Sequence, residues 1–152
     1  MAPCVVIVLA SAVFAVLAAV DRGAVDSRSD DAAAIQGTWA CAAAVVDGKP
    51  LDENTTARLR LVMTAERYRT ERGDDEVLFD STYRLDPGHD PRHIEMTGTE
   101  GAAAGRQALG IYSLEGDTLK ICYTMPGGQR PKSFESKPGS KAFLVTWTRV
   151  RK

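Results

Sequence analysis

A chain of 152 residues, 44% hydrophobic and 26% charged, is the size of one domain with a short leader, and its composition is that of a soluble globular protein. Its formal net charge is −1. That balance supplies no basic excess to neutralise phosphates and no polybasic run to hold an anionic bilayer, so nucleic acid and a purely electrostatic membrane contact are excluded as partners.

Residues 4–20 carry no charge and one hydroxyl, that of Ser11, before Asp21 and Arg22 end the run. An apolar core followed by small residues predicts a secretory signal peptide over residues 1–19, cleaved near Ala18 or Ala19. The mature protein is then periplasmic or secreted. No Lys or Arg precedes the apolar run, so an uncleaved membrane anchor through residues 4–20, or a misplaced start codon, stands as a rival reading. Residues 20–34 mix small and charged side chains without periodicity and read as a flexible linker, in which Asp30 and Asp31 before three alanines start at most one helical turn. The folded domain is expected over residues 35–152.

Residues 36–46 read as a long strand with Trp39, Cys41, Ala43 and Val45 on one face and Thr38, Ala40, Ala42 and Ala44 on the other. Asp47-Gly48-Lys49-Pro50 is a turn, and residues 51–58 form a short helix capped by Asp52. Leu59, Leu61 and Met63 alternate with polar residues, which predicts a strand over 59–63. A mostly polar strand follows over 68–72, then strands over 77–85 and 93–97, separated by Gly73-Asp74-Asp75 and by Asp86-Pro87-Gly88. Residues 109–114 and 118–123 make the clearest hairpin, joined at Glu115-Gly116-Asp117. A long loop rich in Gly and Pro leads to the last strand, 142–149. About eight short strands with alternation throughout predict an all-β, antiparallel up-and-down barrel, with a short helix after the first strand, that closes to hide its edges.

Gly37-Thr38-Trp39 looks like the G-x-W signature on the first strand of lipocalins. "IQGTW", "VVDGKPL", "TYRLDP", "LGIYSLEGDTLKICY" and "RPKSFESKPGS" occur in that order before a final valine-containing strand. Together they resemble an uncharacterised lipocalin-like domain family expanded in planctomycete bacteria. The resemblance covers residues 35–150, and the segment 109–123 carries most of its specificity. It implies export in many members and a calycin-type barrel. It also implies a structural closure in which Gly37 and Trp39 meet an arginine near the last strand, Arg149 first and Arg151 second. It implies no established activity, and no catalytic role is carried over.

Asp86, His89, Asp90 and His93 are the residue types that suit a divalent metal. Pro91 rules out the usual helical i,i+4 presentation, and the same residues suit a solvated turn, the reading preferred here. His89 and His93 therefore stand only as weak candidates, and no metal or cofactor is expected. Cys41 and Cys122 form an even pair once Cys4 leaves with the leader. They admit a disulfide, but two buried thiols are the preferred reading. There is no G-x-S-x-G elbow and no phosphate-binding loop. The expected function is thus non-catalytic, with a small apolar ligand held in the barrel or its mouth. Tyr112, Tyr123 and Trp147 are the aromatic candidates for lining that interior, and Ala40, Ala42 and Ala44 would leave room if they point inward. The alternative is a structural or envelope-protein interaction domain with a filled barrel, using the loop from Pro126 to Pro138 as its contact surface. An enzyme comes third.

Overall fold

The computed structural model describes residues 27–151. The leader predicted over 1–19 and the first part of the predicted linker lie outside the described residues. Helix α1 (Ser27–Ala34) precedes β1 (Gly37–Val46) and the two-residue β2 (Lys49–Pro50). Helix α2 (Glu53–Ala57) follows, then β3 (Leu59–Met63), β4 (Arg67–Arg72), β5 (Glu76–Asp86) and β6 (Arg92–Gly98). After a single 3-10 turn (Gly101–Ala103) come β7 (Gln107–Glu115), β8 (Thr118–Thr124) and β9 (Ala142–Arg149).

The strands pair in the order β2-β1-β3-β4-β5-β6-β7-β8-β9, and β1 also pairs with β9. Every strand pairing is antiparallel. Eight long strands therefore form a closed up-and-down barrel, with β2 as a short flap on β1. Closure pairs Trp39 with Arg149 and Val46 with Phe143, so the ends of β1 and β9 define the two ends of the barrel. The predicted helix after the first strand is α2. Its first turn is capped by Asp52, whose carboxylate accepts from Thr55 N at 2.9 Å and from the Thr55 hydroxyl at 2.8 Å.

Alternation along each strand divides inward from outward side chains. One half of the barrel is packed solid: Ile35, Trp39, Leu61, Ile94, Met96 and Leu119 are all fully buried. The predicted alternation of β1 fails partway along. The register with β9 slips between Cys41 and Ala43, a β-bulge that adds one residue and reverses which side chains point inward. Trp39 and Cys41 pack on the core before the bulge, and Ala44 does so after it. Of the three alanines expected to share an inner face, Ala42 is exposed, Ala40 is half-buried and only Ala44 is buried.

The stretch read as linker is helical from Ser27 to Ala34, and its Asp31 is tied to the barrel. The Tyr112 hydroxyl donates to Asp31 Oδ2 at 2.6 Å, and Arg92 Nη1 donates to the same oxygen at 3.2 Å. A carboxylate with two such partners gives the helix a fixed seat that sequence periodicity does not signal.

Candidate functional site

The closed end is held by Trp39 and Arg149. The Trp39 indole N–H donates to the Ile35 carbonyl at 3.0 Å. The Arg149 guanidinium carbon lies 4.2 Å from the centroid of the Trp39 ring, a cation–π arrangement. Arg149 Nη1 also donates to the Gln36 carbonyl at 2.9 Å, and Nη2 donates to the Ala34 carbonyl, so one side chain satisfies carbonyls where α1 ends. Gly37 has φ +133°, and a Cβ there would stand 3.0 Å from Arg149 Nη1. The positive φ favours glycine here, and a Cβ would also press on the guanidinium. Arg151 is placed elsewhere: it is exposed and pairs with Asp117. Tyr112 belongs to this closed half, through its bond to Asp31, and does not line the open half.

The other half is hollow. A cavity of about 520 Å³ opens at the end marked by Val46 and Phe143. Its walls include Leu51, Leu59, Phe79, Tyr123 and Phe143, and its most deeply buried lining residues are Ala44, Tyr68, Ala108, Val145 and Trp147. Leu78 and Met125 are exposed large apolar residues at the rim. Among the described residues, the charged side chains in the lining are Arg72 and Arg106, both exposed. Arg72 is already engaged: its Nε and Nη2 donate to the Glu76 carboxylate at 3.0 and 2.9 Å. The volume lies within the range of about 300–1,000 Å³ typical of small-molecule sites.

Two residues of this wall each carry a polar atom that is fully buried. The Tyr68 hydroxyl and the Trp147 indole N–H are buried and have no hydrogen-bond partner among the described residues. Burial pushes the Tyr68 hydroxyl well above its ordinary pKa, with smaller contributions from Tyr123 and Cys41. Burial likewise pushes Tyr123 up to about 12. All of these phenols are protonated at neutral pH and act as O–H donors. The Tyr68 ring meets Phe79 edge-to-face at 6.3 Å, and Tyr123 stacks on Phe143 at 5.0 Å, so the aromatic wall is ordered by its own contacts.

Of the three aromatic residues predicted to line the interior, Tyr123 and Trp147 do so. Tyr68 was missed. Its strand, RYRTER, reads as polar, yet Tyr68, Thr70 and Arg72 all line the cavity while Arg67 and Arg69 reach outward to Asp80 at 2.8 and 3.4 Å. The signal was the single aromatic residue at the start of an otherwise charged alternation.

The loop 125–141 does not hang free. It folds over the outer face of β7, β8 and β9, where Phe134 packs on a second small core of Ile111, Cys122 and Ala142. Arg130 fastens one end, donating to the Gly110 carbonyl at 2.7 Å, the Ile94 carbonyl at 3.1 Å and Glu95 Oε1 at 2.9 Å. Ser136 fastens the other: its hydroxyl accepts from Gly48 N at 3.0 Å and donates to the Ala142 carbonyl at 2.7 Å. The start of the same loop, Met125 and Pro126, forms part of the cavity rim.

The rings of His89 and His93 stack in parallel at 3.8 Å, and His89 Nε2 lies 3.3 Å from Asp86 Oδ2. His93 is shifted below its ordinary pKa by burial, and then by Arg130 and His89. Among the described residues no group of three or more His, Cys, Asp or Glu is arranged to hold a metal ion. Cys41 and Cys122 are both free thiols. They lie on opposite faces of the barrel wall, Cys41 against the inner core and Cys122 in the outer one, so the disulfide that their even number admitted is not made. Burial pushes both thiols above their ordinary pKa, which disfavours the nucleophilic thiolate.

No family model matches the chain, and neither a curated protein nor a solved structure is detectably similar to it.

Proposed function

We propose that this domain is an exported, non-catalytic, lipocalin-like barrel that holds a small, mostly apolar molecule in its open half. The observation that carries the reading is the cavity of about 520 Å³, walled by aliphatic and aromatic side chains and open at one end of a closed barrel. Eight-stranded barrels have room for one small ligand when their interior is not filled by side chains. Here only one half is filled. Burying an apolar ligand against these walls would gain roughly 25 cal/mol for each Å² removed from water. The alternative, a structural or envelope-interaction domain, requires a barrel packed from end to end, and the open half weighs against it.

Export, and any membrane contact through residues 4–20, remain part of the proposal on the strength of the apolar leader. Native mass spectrometry of the protein purified from its own envelope fraction tests the reading. The expected result is a stoichiometric small-molecule adduct that organic solvent removes. A bare polypeptide mass, together with no binding of any neutral apolar probe, would overturn it.

A further inference from the structure

Within the cavity reading above, on which this inference rests, the charges of the lining point to a class of ligand. Among the described residues, the lining holds two charged side chains, Arg72 and Arg106, and no carboxylate. Both stand at the exposed rim. The deepest lining residues, Ala44, Tyr68, Ala108, Val145 and Trp147, carry no charge. The two arginines differ. Arg72 is neutralised by Glu76, whose carboxylate accepts from its Nε and Nη2. The Arg106 guanidinium has no hydrogen-bond or ion-pair partner among the described residues. Its place at the mouth is nevertheless fixed by the backbone. Arg106 N donates to the Ala103 carbonyl at 2.9 Å, and Gly98 N donates to the Arg106 carbonyl at 3.0 Å. A Cβ at Gly98 would collide with the Ala103 carbonyl, so the turn that leads to Arg106 is seated directly on the end of β6. Ala102 and Ala103 of the same turn also line the chamber.

We infer that the ligand of this barrel is an amphipathic monoanion, an aliphatic monocarboxylate bound tail first, with its hydrocarbon in the chamber and its carboxylate at the rim against the Arg106 guanidinium.

An apolar wall takes the hydrocarbon, and a guanidinium fork matches the two oxygens of a carboxylate. Other ligands fare worse. A carboxylate driven in first would be buried among uncharged side chains with no counterion, which is costly. An ammonium head at the rim would face two guanidiniums and no lining carboxylate. A phosphate monoester brings about two negative charges, and of the two rim arginines one is already paired. A wholly neutral ligand would gain nothing from Arg106.

The test uses the intact protein and displacement of N-phenyl-1-naphthylamine, a neutral probe, at pH 8 and low ionic strength. Three chains of equal length are compared: decanoate, decylammonium and 1-decanol. Decanoate is expected to bind about tenfold more tightly than decylammonium, because one head is attracted and the other repelled, each by about the value of an exposed ion pair. Arg106→Gln should weaken decanoate about threefold to fivefold and leave 1-decanol unchanged. Added salt should remove most of the decanoate preference. Arg151→Gln removes the same charge beside Asp117, at the closed end, and should change nothing. An unchanged 1-decanol curve shows that the Arg106 variant is folded, and the wild-type ratio with its salt dependence carries the test if it is not. If the probe and all three chains fail to bind the wild type, the cavity reading itself falls. If 1-decanol binds but decylammonium equals decanoate, or folded Arg106→Gln binds decanoate as the wild type does, the chamber stands and the anionic ligand is overturned.

Discussion

At one end of the barrel an indole N–H donates to the Ile35 carbonyl, and a guanidinium lies over the ring. Trp147, which lines the hollow half, also has a buried indole N–H, and that group has no partner among the described residues. The same contrast holds for two tyrosines. Tyr112 at the closed end donates to Asp31 at 2.6 Å, whereas Tyr68 in the cavity wall has no partner among the described residues. All four residues stand in the same closed sheet, on β1, β4, β7 and β9. The barrel does not dictate its own filling: the closed end is held by a hydrogen-bond network, and the open half is a chamber with an aliphatic and aromatic wall. Stability should therefore reside in the first, and binding in the second.

Matched substitutions at the two ends can break this contrast. Trp39→Ala has the largest expected effect, about 3–5 kcal/mol of stability lost in urea unfolding, because it empties a packed site and strands Arg149. Tyr112→Phe should cost about 1.5–3 kcal/mol, the range for a hydrogen bond to a charged group, since it leaves the Asp31 carboxylate one donor short. Tyr68→Phe removes a buried hydroxyl that has no partner among the described residues, so it should be neutral or slightly stabilising in the same assay. Equal losses for the two tyrosines would erase the distinction between the ends. Smaller still, Arg151→Ala should change stability by less than about 1 kcal/mol, because its pair with Asp117 is solvent-exposed.

The pH dependence sharpens the comparison from another side. Tyr68, Tyr112 and Tyr123 all have pKa values raised above 10 in the folded state, chiefly by burial, with the Asp31 hydrogen bond adding to Tyr112. A raised pKa means that the folded form holds its proton more tightly than the unfolded chain. The stabilisation is complete below the unfolded value of about 10 and is lost as pH rises beyond it. Stability measured by denaturant titration should hold steady up to about pH 10 and then fall, with the decline less steep in Tyr112→Phe. A flat profile from pH 9 to 12 would contradict these burials.

Much of the barrel was legible because alternation and turn chemistry agree. The 109–123 hairpin and the Asp52-capped helix rest on residue types whose physics is local, whereas the meeting of Trp39 with Arg149, at opposite ends of the chain, was implied only by a sequence resemblance. Where the sequence was silent, a physical reason can be named. A run of alanines on β1 has the same character on both faces, so the one-residue slip at the bulge left no trace in its pattern. The seat of α1 depends on one carboxylate, Asp31, meeting a tyrosine 81 positions away. The strap over the outer face rests on a lone Phe134 in a polar loop, which has no period to detect. Tyr68 is hidden because its strand is otherwise polar, with Arg67 and Arg69 turned outward to Asp80 and Arg72 at the exposed rim of the cavity.

The central claim is that the open half is a binding chamber and the closed half is not. It is tested most directly by titrating the protein with N-phenyl-1-naphthylamine, following probe fluorescence, in three forms: wild type, Ala44→Leu and Ile94→Val. Ala44 lines the cavity and Ile94 lies in the packed half. Wild type and Ile94→Val should give the same saturable one-to-one curve, and Ala44→Leu, which places a larger side chain in the chamber, should weaken it by about tenfold or more. Absence of saturable binding in the wild type, or equal binding by all three folded proteins, would contradict the account.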